Sequence, residues 1–256
     1  MSRSLESLKS AKKEGRTLAT LTAYDYPTAR LVDEAGIDMI LVGDSLGMVV
    51  LGYEDTTRVT LEEMLHHTRA CHRAVKSAPL IGDLPYHTYT TPEQALGSAR
   101  ALMGAGADAV KLEGGEAMLP QLEAIRDDGI PLIGHIGMLP QQVKKEGGYK
   151  KKGKTPTEAD QLQRDARLLA DLGVIAIVLE SMLPKVAAAI TRDIPVPTIG
   201  IGAGRECDGQ ILVLHDLLGS FPWFRPSFAK PRADLARMTT DAVQAYIAEL
   251  RAPCRH

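Results

Sequence analysis

Five apolar runs in this chain carry, at or near their ends, residues that can move protons or hold cations. LVGD ends at Asp44 and is followed by Ser45; LIGD ends at Asp83; AVKLE carries Lys111 and Glu113; LIGH ends at His135; VIAIVLE ends at Glu180 beside Ser181. Taken singly, each has a structural use. An acid at a strand end forms turns and caps helices, and a histidine on an apolar strand is as readily a satisfied core residue. Lys111 and Glu113, two apart on one strand, share a face and equally make a structural ion pair.

Their joint occurrence is the stronger argument. Several ionisable groups gathered in one low-dielectric place cost free energy unless a metal ion or a charged substrate balances them. Two aspartates with a further carboxylate point to a hard divalent cation, above all Mg2+. That ion prefers octahedral oxygen coordination, keeps waters, and is commonly held by one or two carboxylates. No cluster of histidine and cysteine competes for zinc.

For these residues to meet, the strands that carry them must end on one side of a fold. Three segments repeat one pattern of helix tail, glycine, buried strand and terminal acid: Ala29 to Asp44, Ala99 to Gly114, and Ala166 to Ser181. The glycines Gly36, Gly106 and Gly173 suit the left-handed stop of a helix. Further strand-length runs lie at Thr17 to Ala23, Pro79 to Leu84, Pro131 to Ile136, Pro197 to Ile201 and Ile211 to His215, making eight strands in all. Thr60 with Glu63, Thr91-Pro92 with Gln94, and Thr155-Pro156 with Glu158 mark helix starts. Leu235, Met238, Ala242, Val243, Tyr246, Ile247 and Leu250 form one apolar helical face, expected to seal against the sheet. Eight strands alternating with helices predict an α/β fold, a (β/α)8 TIM barrel whose strand C-termini converge on an active site. A doubly wound open sheet is the alternative.

Composition limits the partners. The chain has 256 residues, 45% hydrophobic and 24% charged, with a formal net charge of -2, and no shift of composition divides it. One barrel domain over residues 1–256 is expected, with a short lead-in helix marked by Leu5, Leu8 and Ala11. The absent basic surplus argues against nucleic acid or a membrane surface and for small-molecule ligands. No signal-peptide core and no run near the ~18 apolar residues of a membrane span is present. Cys71, Cys207 and Cys254 are few, odd in number and scattered, which suits a reducing cytoplasm.

LVGDSLGMVVLGY, DLPYHTY, GADAVKLEGG, IGHIGMLPQ, VIAIVLES and PTIGIGAGRECDGQILVLHDLLG follow in order between about Arg16 and Lys230. These blocks resemble the signatures of the ketopantoate hydroxymethyltransferases. The resemblance implies a barrel related to phosphoenolpyruvate mutase and isocitrate lyase, with Asp44 and Asp83 binding Mg2+ directly and Glu113 supporting it through water. Ser45, Lys111 and His135 would hold the substrate 3-methyl-2-oxobutanoate, and Glu180 matches the family's general base. The implied reaction takes a one-carbon unit from 5,10-methylenetetrahydrofolate and gives 2-dehydropantoate and tetrahydrofolate, the first committed step of pantothenate biosynthesis. A homodecamer is implied for some members.

Other features stay open at this level. GIGAG, Gly200 to Gly204, reads as a tight turn or a phosphate loop, without the lysine of a P-loop. The segment from Gly137 to Thr155 carries Lys144, Lys145, Lys150, Lys151, Lys152 and Lys154, a solvated charge run or a lid attracting the acidic tail of a folate. Cys207 has no local base, and Phe221, Trp223, Phe224 and Phe228 suit packing or a subunit contact. Two rival functions stand beside this one: another Mg2+ barrel lyase or mutase acting on a different 2-oxo acid, which would share the aspartates, and a non-catalytic barrel kept as a binding module or scaffold.

Overall fold

The computed structural model describes residues 4–252. The chain separates into two compact units, Met1–Ile211 and Leu212–His256. The first opens with α1 (Leu5–Ala11), β1 (Leu18–Thr22), α2 (Tyr26–Glu34), β2 (Met39–Val42), a short α3 (Leu46–Val49) and α4 (Leu61–Ala74). It continues with β3 (Leu80–Asp83), α5 (Pro92–Gly104), β4 (Ala109–Glu113), α6 (Leu119–Asp127), β5 (Leu132–Gly137), a one-turn α7 (Val143–Glu146) and α8 (Pro156–Asp171). Then come β6 (Ala176–Glu180), α9 (Pro184–Asp193), β7 (Thr198–Ile201) and β8 (Gly209–Leu212). The strands close into one parallel barrel in sequence order, so the expected (β/α)8 architecture is present and the open-sheet alternative is not.

The helix starts follow the sequence signals. Thr60 and Glu63 form a complete capping box, and Thr91 and Thr155 accept from the backbone N–H groups of Gln94 and Glu158, each followed by a proline in the first turn. At the other end of the strands a different set of acids acts structurally. Asp38, just before β2, accepts from Ala19 N at 2.8 Å; Asp108, before β4, accepts from Leu80 N at 2.8 Å; Asp208, before β8, accepts from Thr198 N at 2.8 Å. Each acid therefore ties the entry of its own strand to the preceding one and fixes the register between them. The lead-in helix α1 plugs this end of the barrel. Leu8 and Ala11 are buried in one apolar cluster with Leu18, Met39, Ile81, Ala109, Ile133, Ile175 and Ile199.

Two expectations about the eighth strand and its surroundings are corrected. The strand runs over Gly209–Leu212, not Ile211 to His215, and His215 lies in the following helix α10 (Leu214–Leu218). A Cβ on Gly209 would stand 2.6 Å from Leu18 Cβ and 2.7 Å from Leu18 O, so the glycine belongs to the close approach of β8 to β1 rather than to a turn. No helix links β7 to β8. GIGAG ends in a turn with Gly202 and Gly204 at positive φ, so the helix N-terminus that a phosphate loop requires does not follow it.

The second unit contains α10 and α11 (Leu235–Arg251). None of the residues of α11 is buried, and Met238, Val243, Tyr246 and Leu250 are each more than half exposed. The apolar stripe of α11 is thus exposed. Periodicity reports that a face wants covering, not what covers it. Phe221 and Trp223 meet edge to face at 5.2 Å between ring centroids, and Trp223 is 81% exposed. Cys254 lies outside the described residues.

Candidate active site

The polar strand ends predicted from sequence converge. In the barrel register Asp83 is the neighbour of Lys111, and Glu113 that of His135. All four are buried, as is Asp44, while Ser45 and Glu180 are partly exposed. Lys111 Nζ donates to both oxygens of Asp83, at 2.6 and 2.7 Å, and stands 4.0 Å from Glu113 Oε1. His135 lies between two acids, with Nδ1 3.5 Å from Glu113 Oε1 and Nε2 3.2 Å from Glu180 Oε2. Both distances allow charge attraction, but neither contact is aligned as a hydrogen bond. The backbone N–H of Asp44 donates to Asp83 Oδ2 at 3.3 Å.

Backbone geometry supports this convergence at β5 and β6. Gly137 has φ +106°, and a Cβ there would meet Glu180 O at 2.2 Å, so only glycine lets β5 pass the tip that carries Glu180. Ser181, next in the chain, takes a left-handed φ of 46°, uncommon outside glycine. Its backbone N–H is held by Ile201 O at 2.8 Å.

The electrostatics reflect crowding. Burial, reinforced by the negative charges of Asp83 and Glu113, pushes the Asp44 carboxyl well above the usual carboxylate range. Burial also raises Asp83, with Lys111 opposing it and Glu113 adding to it. For Lys111 burial works against the charge, yet Asp83, Glu113 and Asp44 outweigh it and hold the ammonium above its ordinary value. Burial and Lys111 likewise disfavour a charged His135, but Glu113 and Glu180 prevail and lift the imidazole to about 9.

Four residues near these groups escaped the sequence reading. Tyr24, buried just after β1, shares a 2.8 Å hydrogen bond between its hydroxyl and Ser45 Oγ. Gln141 donates from Nε2 to Asp44 Oδ2 at 2.8 Å and from its backbone N–H to Glu113 Oε2 at 3.2 Å, and Tyr89 donates to its side-chain oxygen. Tyr149 reaches Met48 Sδ at 3.7 Å, and burial followed by the charge of Glu180 raises its phenol to about 12. Gln141 and Tyr89 do fall inside the blocks IGHIGMLPQ and DLPYHTY, but a neutral polar residue in a loop gives no signal of its own. Cys207 is buried, and burial raises its thiol, which disfavours a nucleophilic thiolate.

The lysine-rich connection between β5 and α8 is tied down at several points. Lys144 pairs with Asp55 at 2.9 Å, Lys152 with Glu146 at 2.7 Å, and the backbone of Lys152 bonds to Ser181 O and Leu183 N. Lys145 stands 5.9 Å over the ring of Tyr86.

Comparison with known proteins bears on the fold and on the family. Among solved structures, phosphonopyruvate hydrolase in complex with oxalate and Mg2+ superposes with a TM-score of 0.65 at 16% identity, covering 98% of this chain and 87% of that one. Oxaloacetate acetylhydrolase gives 0.64 at 14% identity over 98% and 88%. At this identity they speak for the fold alone. Sequence relatives are much nearer. The 3-methyl-2-oxobutanoate hydroxymethyltransferase of Thermoanaerobacter sp. (strain X514) is 52% identical over 95% of this chain and 90% of its own length. That of Oleidesulfovibrio alaskensis is 54% identical over 94% and 84%, and that of Ignicoccus hospitalis 50% over 93% and 91%. The family model for ketopantoate hydroxymethyltransferase matches residues 2–253. With the match running through every strand that brings an ionisable residue to the cluster, the chain belongs to the ketopantoate hydroxymethyltransferase family.

Proposed function

We propose that this protein transfers a hydroxymethyl group from 5,10-methylenetetrahydrofolate to 3-methyl-2-oxobutanoate, giving 2-dehydropantoate and tetrahydrofolate, with Mg2+ as its metal. The relatives at about half identity over nearly the whole chain carry the reaction. The observation that carries the chemistry is the buried cluster of Asp44, Asp83, Glu113, Lys111 and His135 at the strand ends.

The donor set fits a small oxygen-preferring cation. Among the described residues no three His, Cys, Asp or Glu side chains form a metal cage by themselves. That suits Mg2+, which takes one or two carboxylates and fills its remaining positions with water and substrate oxygens. Glu113 Oε1 is buried without a hydrogen-bond partner, a cost of roughly 1–3 kcal/mol that a water or ligand would relieve. Asp44 and Asp83 would hold the ion and Glu113 would support it through water. When bound, the cation polarises the keto oxygen and stabilises the negative charge that develops there.

The chain's own residues do the rest. Ser45, oriented by Tyr24, donates to the bound keto acid, and Lys111 and His135 set positive charge beside its carboxylate and keto oxygens. The carboxylate of Glu180 takes the C-3 proton, and His135 at 3.2 Å keeps that carboxylate in place. The electron pair released at C-3 attacks the methylene carbon of the folate. A water supplies the hydroxyl as the two carbon–nitrogen bonds to the cofactor break, and the C-3 proton and the remaining proton of that water end on the two cofactor nitrogens. The protein works in the cytoplasm as a homodecamer in this reading, with the exposed face of α11 as a surface for self-association.

The experiment follows the C-3 proton of 3-methyl-2-oxobutanoate by NMR in deuterated water, with Mg2+, with a chelator, and with tetrahydrofolate added. Metal-dependent loss of the signal that slows at least a hundredfold in Glu180→Gln is expected. A proton that stays in place under every condition would overturn the substrate assignment.

A further inference from the structure

We propose that Gln141, braced by Tyr89, is a positioning residue that commits Asp44 to a single cation-facing oxygen and so sets the site's selectivity for Mg2+ over larger divalent ions. The inference rests on the metal reading above and adds a determinant to it.

Gln141 opens onto the site from a 3-10 turn, Pro140–Gln142, and is 1% exposed. Every polar atom of its side chain is engaged. Nε2 donates to Asp44 Oδ2 at 2.8 Å and to Leu84 O at 3.0 Å, and Oε1 accepts from the Tyr89 hydroxyl. Turning the amide over would set its carbonyl against the Asp44 carboxylate and the Leu84 carbonyl, so one orientation is fixed. Burial and then the charges of Glu113, Asp83 and Asp44 keep the Tyr89 phenol protonated, which makes it a donor. Through its backbone the same residue also donates to Glu113 Oε2 at 3.2 Å.

The consequence is geometric. Oδ2 of Asp44 already accepts from Gln141, so turning the carboxylate to offer both oxygens to one cation would cost that hydrogen bond, and a contact through Oδ1 alone is favoured. Mg2+ demands near-octahedral single-oxygen contacts, whereas Ca2+ accepts six to eight oxygens and readily takes carboxylates two oxygens at a time. Freeing Asp44 should therefore weaken Mg2+ and favour Ca2+.

Isothermal titration calorimetry of Mg2+, Mn2+ and Ca2+ on the purified protein, Gln141→Leu and Tyr89→Phe tests this. The ratio of Mg2+ to Ca2+ affinity is expected to fall about tenfold or more in Gln141→Leu, the scale typical of groups that orient a metal ligand, and in the same direction but by less, about threefold, in Tyr89→Phe, which loses only the brace on the amide. Tyr89→Phe retains the donor to Asp44 but releases the amide, so it keeps the test valid should Gln141→Leu fold poorly. A ratio unchanged in folded variants, with the parent protein binding Mg2+, would overturn the role of Gln141 alone. A parent protein that binds none of the three ions would overturn this inference and the metal reading together.

Discussion

Lys111 Nζ bridges both carboxylate oxygens of Asp83, at 2.6 and 2.7 Å, with the two side chains almost entirely buried. Removing the ammonium leaves the buried Asp83 carboxylate without its cationic partner. Lys111→Met should cost about 3–5 kcal/mol in the metal-free protein. Saturating Mg2+ should narrow the deficit, since an ion that replaces the lost positive charge binds the folded variant more tightly than the folded parent and stabilises it by more. Urea denaturation with and without the metal measures both terms. An equal loss in each condition would mean that the ion binds the variant no more tightly than the parent and does not take over the charge of Lys111.

His135 yields a pH prediction. Its folded value of about 9 lies above the ordinary imidazole value near 6.5. A raised value means the group contributes stability that is full below about 6.5 and is lost as pH climbs towards 9. The difference corresponds to on the order of 3 kcal/mol. NMR titration of the metal-free protein should find this imidazole still charged at pH 7.5, and Glu180→Gln should move its midpoint down. His135→Gln should flatten the stability loss between those limits. An imidazole that titrates near 6.5 would show that Glu113 and Glu180 do not govern it.

How much of this was legible beforehand depended on whether a residue breaks a pattern. Asp44, Asp83 and Glu180 stand out as a set: each alone could cap a helix or form a turn, but several carboxylates ending buried apolar runs cost free energy unless something balances them. Lys111 and His135 stand out for the same cause. Gln141 and Tyr89 do not, because an amide and a phenol in a loop match the loop's polarity, and only the fold reveals that they are buried against Asp44. The start of β8 is not legible because Gly209 and Gln210 carry no apolar signal, and the close approach of Leu18 to Gly209 is known only from the fold. The apolar stripe of α11 was recognised correctly as a stripe, but its cover depends on contacts that no local period encodes.

The strap between β5 and α8 gives a third prediction. Lys144 joins it to the loop before α4 through Asp55 and Thr57, at 2.9 and 3.2 Å. The lysine is itself exposed, so the pair contributes at most about 1 kcal/mol. Lys144→Gln should therefore leave the thermal midpoint nearly unchanged. It should still speed amide hydrogen exchange across residues 143–151 and raise KM for the folate more than for the keto acid. Unchanged exchange in that segment would show that the clasp does not hold the strap.

The open face of α11 supplies the last prediction. Tyr246 is 62% exposed and Leu250 66%, with Met238, Val243 and Ile247 on the same stripe. Covering side chains of this size is worth roughly 1.5–3 kcal/mol each, enough for a handful to drive association when repeated in a symmetric assembly. Sedimentation velocity on the unmodified protein should give a mass ten times that of one chain. Val243→Asp with Tyr246→Asp should shift it to smaller species, because each new carboxylate would have to be buried unpaired in the contact. Circular dichroism separates dissociation from unfolding: the helical signal should persist while the mass falls. A double variant that keeps the full assembly would place the contacts elsewhere, with the exposed ring of Trp223 as the next surface to substitute.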